Sequence, residues 1–212
     1  MKRKLIAEFI GTYFLVFAGT GAVVINELTK SLTHVGIAIT FGLVVMALIY
    51  TFGHISGAHF NPAVTIGFLV HRDMNPKEAL LYIMTQAIAG VAASSTLLWL
   101  FGNVANLGAT LPRNSWEQSF ILEFILTFIL MMVILGSAVH GKAVKQFAGV
   151  AIGGTVGLMA MFAGPICGAS MNPVRSLGPA LVSGTLQHLW IYIVATILGA
   201  VAATLVYQTL HE

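Results

Sequence analysis

Charged side chains are scarce in this chain. Asp, Glu, Lys and Arg together make up 8% of its 212 residues, whereas 58% of the residues are hydrophobic. Soluble globular domains carry about 25% charged residues, so the composition argues against a water-soluble fold. The net charge is only +3, and no basic run or patch indicates a nucleic-acid partner.

Cysteine is nearly absent as well. Cys167 is the single cysteine, which excludes an intrachain disulfide and is too isolated to indicate a metal site. His54 and His59 lie close together in the chain, but no cysteine or carboxylate lies nearby, so zinc binding is not expected. The sequence also contains no recognisable set of nucleophile, base and oxyanion-binding residues. We therefore expect no metal, no cofactor and no catalytic activity.

Long apolar runs are abundant, and six of them have the length of a membrane crossing. Each has about 17 to 23 residues, which fits ~20 residues rising 1.5 Å each across a ~30 Å hydrocarbon core. The predicted spans are Leu5–Ile25, Val35–Phe52, Ala79–Phe101, Phe120–Val139, Phe147–Ala163 and Leu189–Tyr207. The first run has a basic head like a secretory signal, but it is too long for one and contains Glu8. These runs predict an all-α polytopic membrane protein with a single transmembrane domain over residues 1–212.

The basic residues are distributed unequally between the two sides of a six-span arrangement. Seven lie on one side, namely Lys2, Arg3, Lys4, Arg72, Lys77, Lys142 and Lys145, and two lie on the other, Lys30 and Arg113. Because loops rich in Lys and Arg stay in the cytoplasm, both termini are expected there. The short ends favour a prokaryotic inner-membrane protein.

Two further apolar segments are too short to cross a membrane, and they are copies of each other. A shift of 111 positions sets "GHISGAHFNPAVTIG" (53–67) on "GPICGASMNPVRSLG" (164–178) with seven of fifteen residues identical. We predict repeat one over 1–107 with a half-helix at 61–71, and repeat two over 115–212 with a half-helix at 172–182. Since each repeat has three spans, the second is inverted in the membrane, as in channels and transporters.

Each half-helix begins with Asn-Pro, a pair that suits a helix start. The asparagine side-chain oxygen caps the first turn, and proline lacks only an N–H that would be unpaired there anyway. Asparagine keeps a spare NH2 that can donate into a lumen without carrying a charge. Two such helices meeting end to end present about +0.5 charge each. The pair therefore favours a site for oxygen lone pairs that repels cations.

These motifs resemble those of the aquaporin or major intrinsic protein family over nearly the full chain, and most of all its nodulin-like branch and prokaryotic relatives. Asn61, Pro62 and Ala63 match the family motif. In the second copy, Asn172 and Pro173 are followed by Val174 instead of alanine. We expect the two extra methyl groups to lie near the lumen, where they affect its width.

The resemblance implies a right-handed bundle of six transmembrane helices plus two re-entrant half-helices, assembled as a homotetramer in the lipid bilayer. It implies a selectivity filter at Phe41, Ala160, Ala169 and Arg175, pore-lining carbonyls at Gly57, Ala58, His59, Gly168, Ala169 and Ser170, and structural buried acids at Glu8 and Glu123. It places Cys167 away from the position that confers mercury block in some relatives.

The leading functional hypothesis is a passive channel for water and small uncharged solutes that excludes protons and ions. Alanine at 160 and 169 predicts a wide filter, and the nodulin-like branch carries glycerol and neutral arsenous, boric or silicic acid. Ser176 and Ala180 instead match the pattern of water channels, so a strictly water-selective aquaporin is the alternative. An ion-coupled transporter is disfavoured because only Glu8 and Glu123 offer carboxylates at depth. A cation channel is disfavoured by Arg175 and the two positive helix ends.

Overall fold

The computed structural model describes residues 1–211, and in that range the chain is helical with connecting loops. Eight α-helices follow one another: α1 Lys2–Thr29, α2 Thr33–Ser56, α3 Pro62–Val70, α4 Pro76–Phe101, α5 Trp116–Ile134, α6 Ala148–Cys167, α7 Pro173–Ser183 and α8 Leu189–His211. A short 3₁₀ turn, Ala105–Gly108, lies between α4 and α5, and a π-helical turn, Leu135–Val139, extends α5.

Six of these helices are long and apolar enough to span a membrane, and α3 and α7 are the two short ones. The prediction of six spans and two half-helices is thus confirmed. The observed helices run a few residues beyond most of the predicted spans, because a helix continues through polar residues until a left-handed residue stops it. Such stops follow α1 at Lys30, with φ 56°, and α2 at Gly57, with φ 86°.

The two short helices lie inside the bundle and contact the long helices around them. Helix α3 packs against α4 and α8, whereas α7 packs against α1, α4 and α8, and the two short helices also contact each other. With six crossings, the chain begins and ends at the same end of the bundle. We call this end the terminal face and the other end the opposite face.

Glycines allow α2 and α6 to approach until their backbones touch. Gly42 and Gly153 face each other so closely that a Cβ added to Gly153 would lie 2.6 Å from the Gly42 carbonyl oxygen and 2.6 Å from Met46 Cβ. Gly157 faces Gly42 as well, and Gly149 faces the ring of Tyr50. Gly149, Gly153 and Gly157, spaced four residues apart on α6, therefore form a helix-packing surface, as small residues often do in membranes.

Replacing Gly153 by alanine is expected to destabilise the protein, whereas the same change at the neighbouring Gly154 is not. A Cβ on Gly154 meets nothing within 4 Å, so alanine there brings only its better helix propensity, about 1 kcal/mol. At Gly153 the added methyl forces two backbones apart, and overpacking of this kind costs about 1–3 kcal/mol. Thermal unfolding in detergent should show a lower midpoint for G153A alone. Equal midpoints for the two variants would contradict the packing.

Candidate functional site

Both half-helices begin at an asparagine that caps its own first turn. Asn61 is extended (φ −155°), and its side-chain oxygen accepts the N–H of Ala63 at 2.9 Å. Asn172 has nearly the same backbone conformation (φ −153°) and accepts the N–H of Val174 at 3.0 Å. Each capping residue is followed by proline, so both helices start as the Asn-Pro pair dictates.

The two capping amides also join the halves of the molecule. Asn61 Nδ2 donates to the Met171 carbonyl at 2.7 Å, and Asn172 Nδ2 donates to the Phe60 carbonyl at 2.9 Å. Phe60 and Met171 are equivalent under the 111-residue shift, so the contact is reciprocal. One N–H of each NH2 group is used in this way, and both asparagines line the same cavity. The other N–H of each amide is left to donate to a solute.

The loop before each half-helix repeats one unusual backbone pattern. Left-handed φ angles occur at Gly57 (86°), Ala58 (53°) and Phe60 (49°), and again at the equivalent Gly168 (86°), Ala169 (41°) and Met171 (52°). For residues other than glycine such angles cost roughly 1–3 kcal/mol each unless the surroundings enforce them. The pattern takes the loop carbonyls out of regular helical bonding. Those of Phe60 and Met171 accept the Asn amides, and those of residues 57–59 and 168–170 accept no hydrogen bond within residues 1–211.

Glu8 holds the first of these loops. It is completely buried, and its carboxylate accepts the backbone N–H groups of His59 at 3.0 Å and Phe60 at 2.7 Å. The hydroxyl of Ser56, at 2.7 Å, and the amide of Gln86, at 2.8 Å, also donate to it. Four donors thus surround one buried carboxylate, which fixes the strained backbone between them.

Glu123 holds the second loop in the same way. It is also completely buried, and its two oxygens accept the N–H groups of Ser170 at 2.7 Å and Met171 at 2.8 Å. Ser170 and Met171 are the equivalents of His59 and Phe60 under the 111-residue shift. The structure therefore places both predicted acids on backbone N–H groups of the loops.

Two cavities lie inside the bundle, one toward each of its ends. The larger, about 700 Å³, runs from Lys4 and Glu78 on the terminal face past Asn61 and Asn172. The smaller, about 270 Å³, lies toward the opposite face between His34, Thr110 and Ala160. Phe41 and Arg175 line both cavities. We call the place where these two side chains line both cavities the junction.

Arg175 is held in place at this junction. Only 4% of its surface is exposed, its Nη1 donates to the Gly108 carbonyl at 2.7 Å, and its Cζ lies 4.9 Å from the centre of the Phe41 ring. Its Nε is buried and has no partner within residues 1–211. Nη2 makes no hydrogen bond within the same residues and is not buried, so it is the donor that the cavities can reach, and no carboxylate of residues 1–211 forms a salt bridge with the guanidinium.

The other predicted site residues lie around the same path. Ala160 lines the smaller cavity and Ala169 the larger one, so a methyl group is all that each contributes to the wall. Among the predicted carbonyl residues, Gly57, Ala58, His59, Ala169 and Ser170 line the larger cavity, whereas Gly168 lines the smaller. His54 lines the larger cavity too.

The expectation that the methyl groups of Val174 lie near the lumen is wrong. Val174 is 1% exposed, lines neither cavity, and packs against Gly90 of α4. Val174 and Arg175 are neighbours in α7 and point to different sides of that helix. Val174 faces the bundle and Arg175 faces the path. Ala63 is likewise fully buried in the first half-helix. The width of the pore is thus set elsewhere.

Sequence reasoning missed several polar residues that position the second loop. Ser170 Oγ donates to the Asn172 carbonyl at 2.8 Å and lies 2.6 Å from Ser176 Oγ, which lies 2.7 Å from Thr110 Oγ1. Because each hydroxyl has one proton, the chain runs from Thr110 through Ser176 to Ser170. Tyr82 and Gln86 of α4 were also missed, although polar residues four apart in an apolar span are a usable signal.

Comparisons with known proteins agree with this geometry. Residues 1–207 match the family described as major intrinsic protein. Nodulin-26 of Glycine max is 49% identical over 97% of this chain and 77% of its own length, and aquaporin NIP1-2 of Arabidopsis thaliana is 50% identical over 97% and 73%. The X-ray structure of the aquaglyceroporin from Plasmodium falciparum superposes with a TM-score of 0.84 at 29% identity, covering 97% of this chain and 94% of that one.

Proposed function

The chain belongs to the major intrinsic protein family, and on this premise we propose that the junction at Phe41 and Arg175 is the selectivity filter of its pore. The protein is an integral membrane channel for water and small neutral solutes. The observation that carries the filter assignment is that Phe41 and Arg175 line both cavities, and that Nη2 of Arg175 has no hydrogen-bond partner within residues 1–211 and is not buried. A neutral hydroxylic solute can accept from that guanidinium.

Exclusion of ions follows from the charges around the path. Two helix N-termini, each worth about +0.5 charge, point at the centre of the larger cavity beside Asn61 and Asn172. The fixed cation of Arg175 adds a second barrier. Glu8 and Glu123 are fully buried behind the loops and line neither cavity, so neither carboxyl group contacts a passing ion. Their hydrogen bonds to backbone N–H groups favour a structural role over proton coupling.

The solute range extends, in our proposal, to glycerol and to neutral metalloid hydroxides such as arsenous or boric acid. This is supported by Ala160 in the wall of the smaller cavity and Ala169 in the wall of the larger one, since each leaves room where a bulkier side chain would narrow the path. The structural relative from Plasmodium falciparum is described as an aquaglyceroporin, and this chain has the same fold.

Stopped-flow swelling of proteoliposomes tests the solute range. Vesicles that contain the purified protein are exposed to an osmotic gradient for water, and to concentration gradients of glycerol and of arsenous acid. Empty vesicles give the baseline. We expect flux of all three that is linear in solute concentration and unchanged by a proton ionophore. Water flux without glycerol or arsenous acid flux would establish the strictly water-selective alternative. Saturable flux that responds to the ionophore would establish an ion-coupled transporter.

Ala160→His is expected to narrow the filter from one wall. The imidazole fills the space opposite Arg175, so the permeability to glycerol should fall at least tenfold while that to water falls no more than about twofold. The two permeabilities are measured in the same vesicles, so that protein content cancels in their ratio. Ala163→Ser is a suitable control, because Ala163 lies one helical turn away on α6 and lines neither cavity. Equal loss of both fluxes in A160H would contradict the filter assignment.

We further propose that the protein lies in the cell membrane as a homotetramer with the terminal face in the cytoplasm. The excess of basic residues at that face supports the orientation, seven against two. The 111-residue correspondence of loops, caps and acids supports two inverted repeats, 1–107 and 115–212. Protease access to a terminal tag in sealed vesicles tests the orientation, and the mass of the detergent-solubilised assembly tests the tetramer.

A further inference from the structure

The single carbonyl that holds Arg175 belongs to an unusual piece of backbone. Ala105, Asn106, Leu107 and Gly108 follow one another with φ angles of 48°, 49°, 54° and 74°. Four consecutive left-handed residues are rare, because the left-handed conformation brings Cβ against the carbonyl oxygen in every residue but glycine. A turn of this kind persists only when its surroundings enforce it. We call residues 105–108 the left-handed turn.

The surroundings of the left-handed turn do enforce it. Leu107 is completely buried, and the turn contacts α1, α4 and α7. Two hydrogen bonds close it, from Leu107 N to Val104 O at 2.9 Å and from Ala109 N to Asn106 O at 3.0 Å. The chain that follows is fixed by Thr110, which is hydrogen-bonded to Ser176 at 2.7 Å. The carbonyl between these anchors has little freedom to move.

The same carbonyl is the only hydrogen-bond partner of the Arg175 side chain within residues 1–211. Besides that bond, the guanidinium is in contact with the ring of Phe41. A side chain with five donors and one carbonyl anchor takes its position from that anchor. Where Gly108 O lies therefore decides how far the guanidinium reaches into the path.

We propose that the left-handed turn is a positioning element for the filter, and that Gly108 is the residue on which it depends. Holding the guanidinium against the wall keeps the junction open to solutes larger than water. Once released, the guanidinium would move into the path, where solute and water can satisfy its donors. The turn thus sets the size limit of the pore through the position of Gly108, which itself lines the smaller cavity. This inference rests on the proposed filter at Phe41 and Arg175.

The chain offers a matched pair of glycines for a test. Both glycines have a positive φ, 74° at Gly108 and 73° at Gly102, and Gly102 also has ψ −175°, a conformation essentially confined to glycine. Alanine therefore strains the backbone at Gly102 at least as much as at Gly108, so G102A controls for backbone strain. A Cβ on Gly108 would lie 3.0 Å from Thr20 Cβ and 3.2 Å from the Thr20 carbonyl oxygen, whereas a Cβ on Gly102 meets nothing within 4 Å. Gly108→Ala must therefore displace the carbonyl that anchors Arg175, and Gly102→Ala need not.

The experiment compares G108A, G102A and R175A in proteoliposomes, using the ratio of glycerol to water permeability. We expect the ratio to fall at least threefold in G108A and to remain unchanged in G102A. A loss of stability alone would lower both fluxes together and leave the ratio where it was, and thermal midpoints in detergent record that loss separately. If R175A changes the ratio and G108A does not, the positioning role is wrong. If neither variant changes it, the filter assignment itself is wrong.

Should G108A fail to fold, Asn106→Gly provides a second test. Glycine adopts φ 49° without a Cβ penalty, so N106G relaxes the left-handed turn without adding an atom. Because glycine adopts other backbone conformations as readily, the turn becomes more mobile and holds Gly108 O less firmly, so we expect the ratio of glycerol to water permeability to fall in N106G as in G108A. A ratio equal to that of the wild type in folded N106G, with a changed ratio in R175A, would overturn the proposal.

Discussion

Replacing Arg175 by alanine should give the largest change in selectivity of any single substitution in this chain. The guanidinium occupies the junction between the two cavities, and its charge acts on any cation that passes. At ~5 Å and an effective dielectric constant near 20 the repulsion is about 3 kcal/mol, which is roughly a hundredfold in rate. We expect glycerol permeability to rise severalfold and a cation leak to appear, both measurable in proteoliposomes by swelling and by a potential-sensitive dye.

Arg175→Lys separates the charge from the shape of the side chain. Lysine keeps the positive charge but lacks the planar fork that both bonds Gly108 O and lies over the Phe41 ring. Cations should therefore remain excluded in R175K, while the ratio of glycerol to water permeability changes. A cation leak in R175K as large as that in R175A would show that exclusion does not depend on the charge at this position.

Much of this architecture could be predicted from the sequence because it depends on local rules. Apolar length fixes the six spans, and Asn-Pro fixes the start of each half-helix at Asn61 and Asn172 whatever surrounds it. The 111-residue shift sets one Asn-Pro motif on the other. The same shift sets the two backbone N–H groups that donate to Glu8 on the two that donate to Glu123. These features need no knowledge of which residues touch across the bundle.

The features that escaped prediction all depend on contacts between distant segments. The bond from Asn61 to the Met171 carbonyl joins residues 110 positions apart. Val174 turns toward Gly90 only because α4 lies on that side of α7. The sequence "ANLG" (105–108) does not predict four consecutive left-handed residues, since three of the four are not glycine. Long-range packing overrides local preference at these points.

The buried acids lead to the largest expected effect on folding. Glu123→Leu removes the acceptor of two buried backbone donors, the N–H groups of Ser170 and Met171. A buried donor left without a partner costs about 1–3 kcal/mol, so the pair costs about 2–6 kcal/mol. That is a large share of the ~5–15 kcal/mol by which native proteins are typically stable. We expect E123L to lose most folded protein and, with it, water and glycerol flux.

Ser119→Ala is the matched control on the same helix. Ser119 is fully buried one turn before Glu123, and its hydroxyl has no partner within residues 1–211. Removing that hydroxyl leaves no donor or acceptor stranded, so the thermal midpoint of S119A should equal or exceed that of the wild type. A midpoint for E123L close to that of S119A would show that the carboxylate does not support the loop.

Glutamine at either acid distinguishes support of the loop from proton coupling. A glutamine is neutral and nearly the same shape as a protonated glutamate, so a carboxylate that acts by taking up a proton would leave E8Q and E123Q folded but without coupled flux. A carboxylate that acts by accepting two backbone N–H groups cannot be replaced in this way, because the NH2 of glutamine faces one of those N–H groups and can only repel it. We therefore expect E8Q and E123Q to unfold at temperatures between those of the wild type and the leucine variants, with the flux per folded molecule independent of pH. The strained loops, and the carbonyls and Asn caps that they present to the pore, then depend on two side chains that accept backbone N–H groups with both carboxyl oxygens and that line neither cavity.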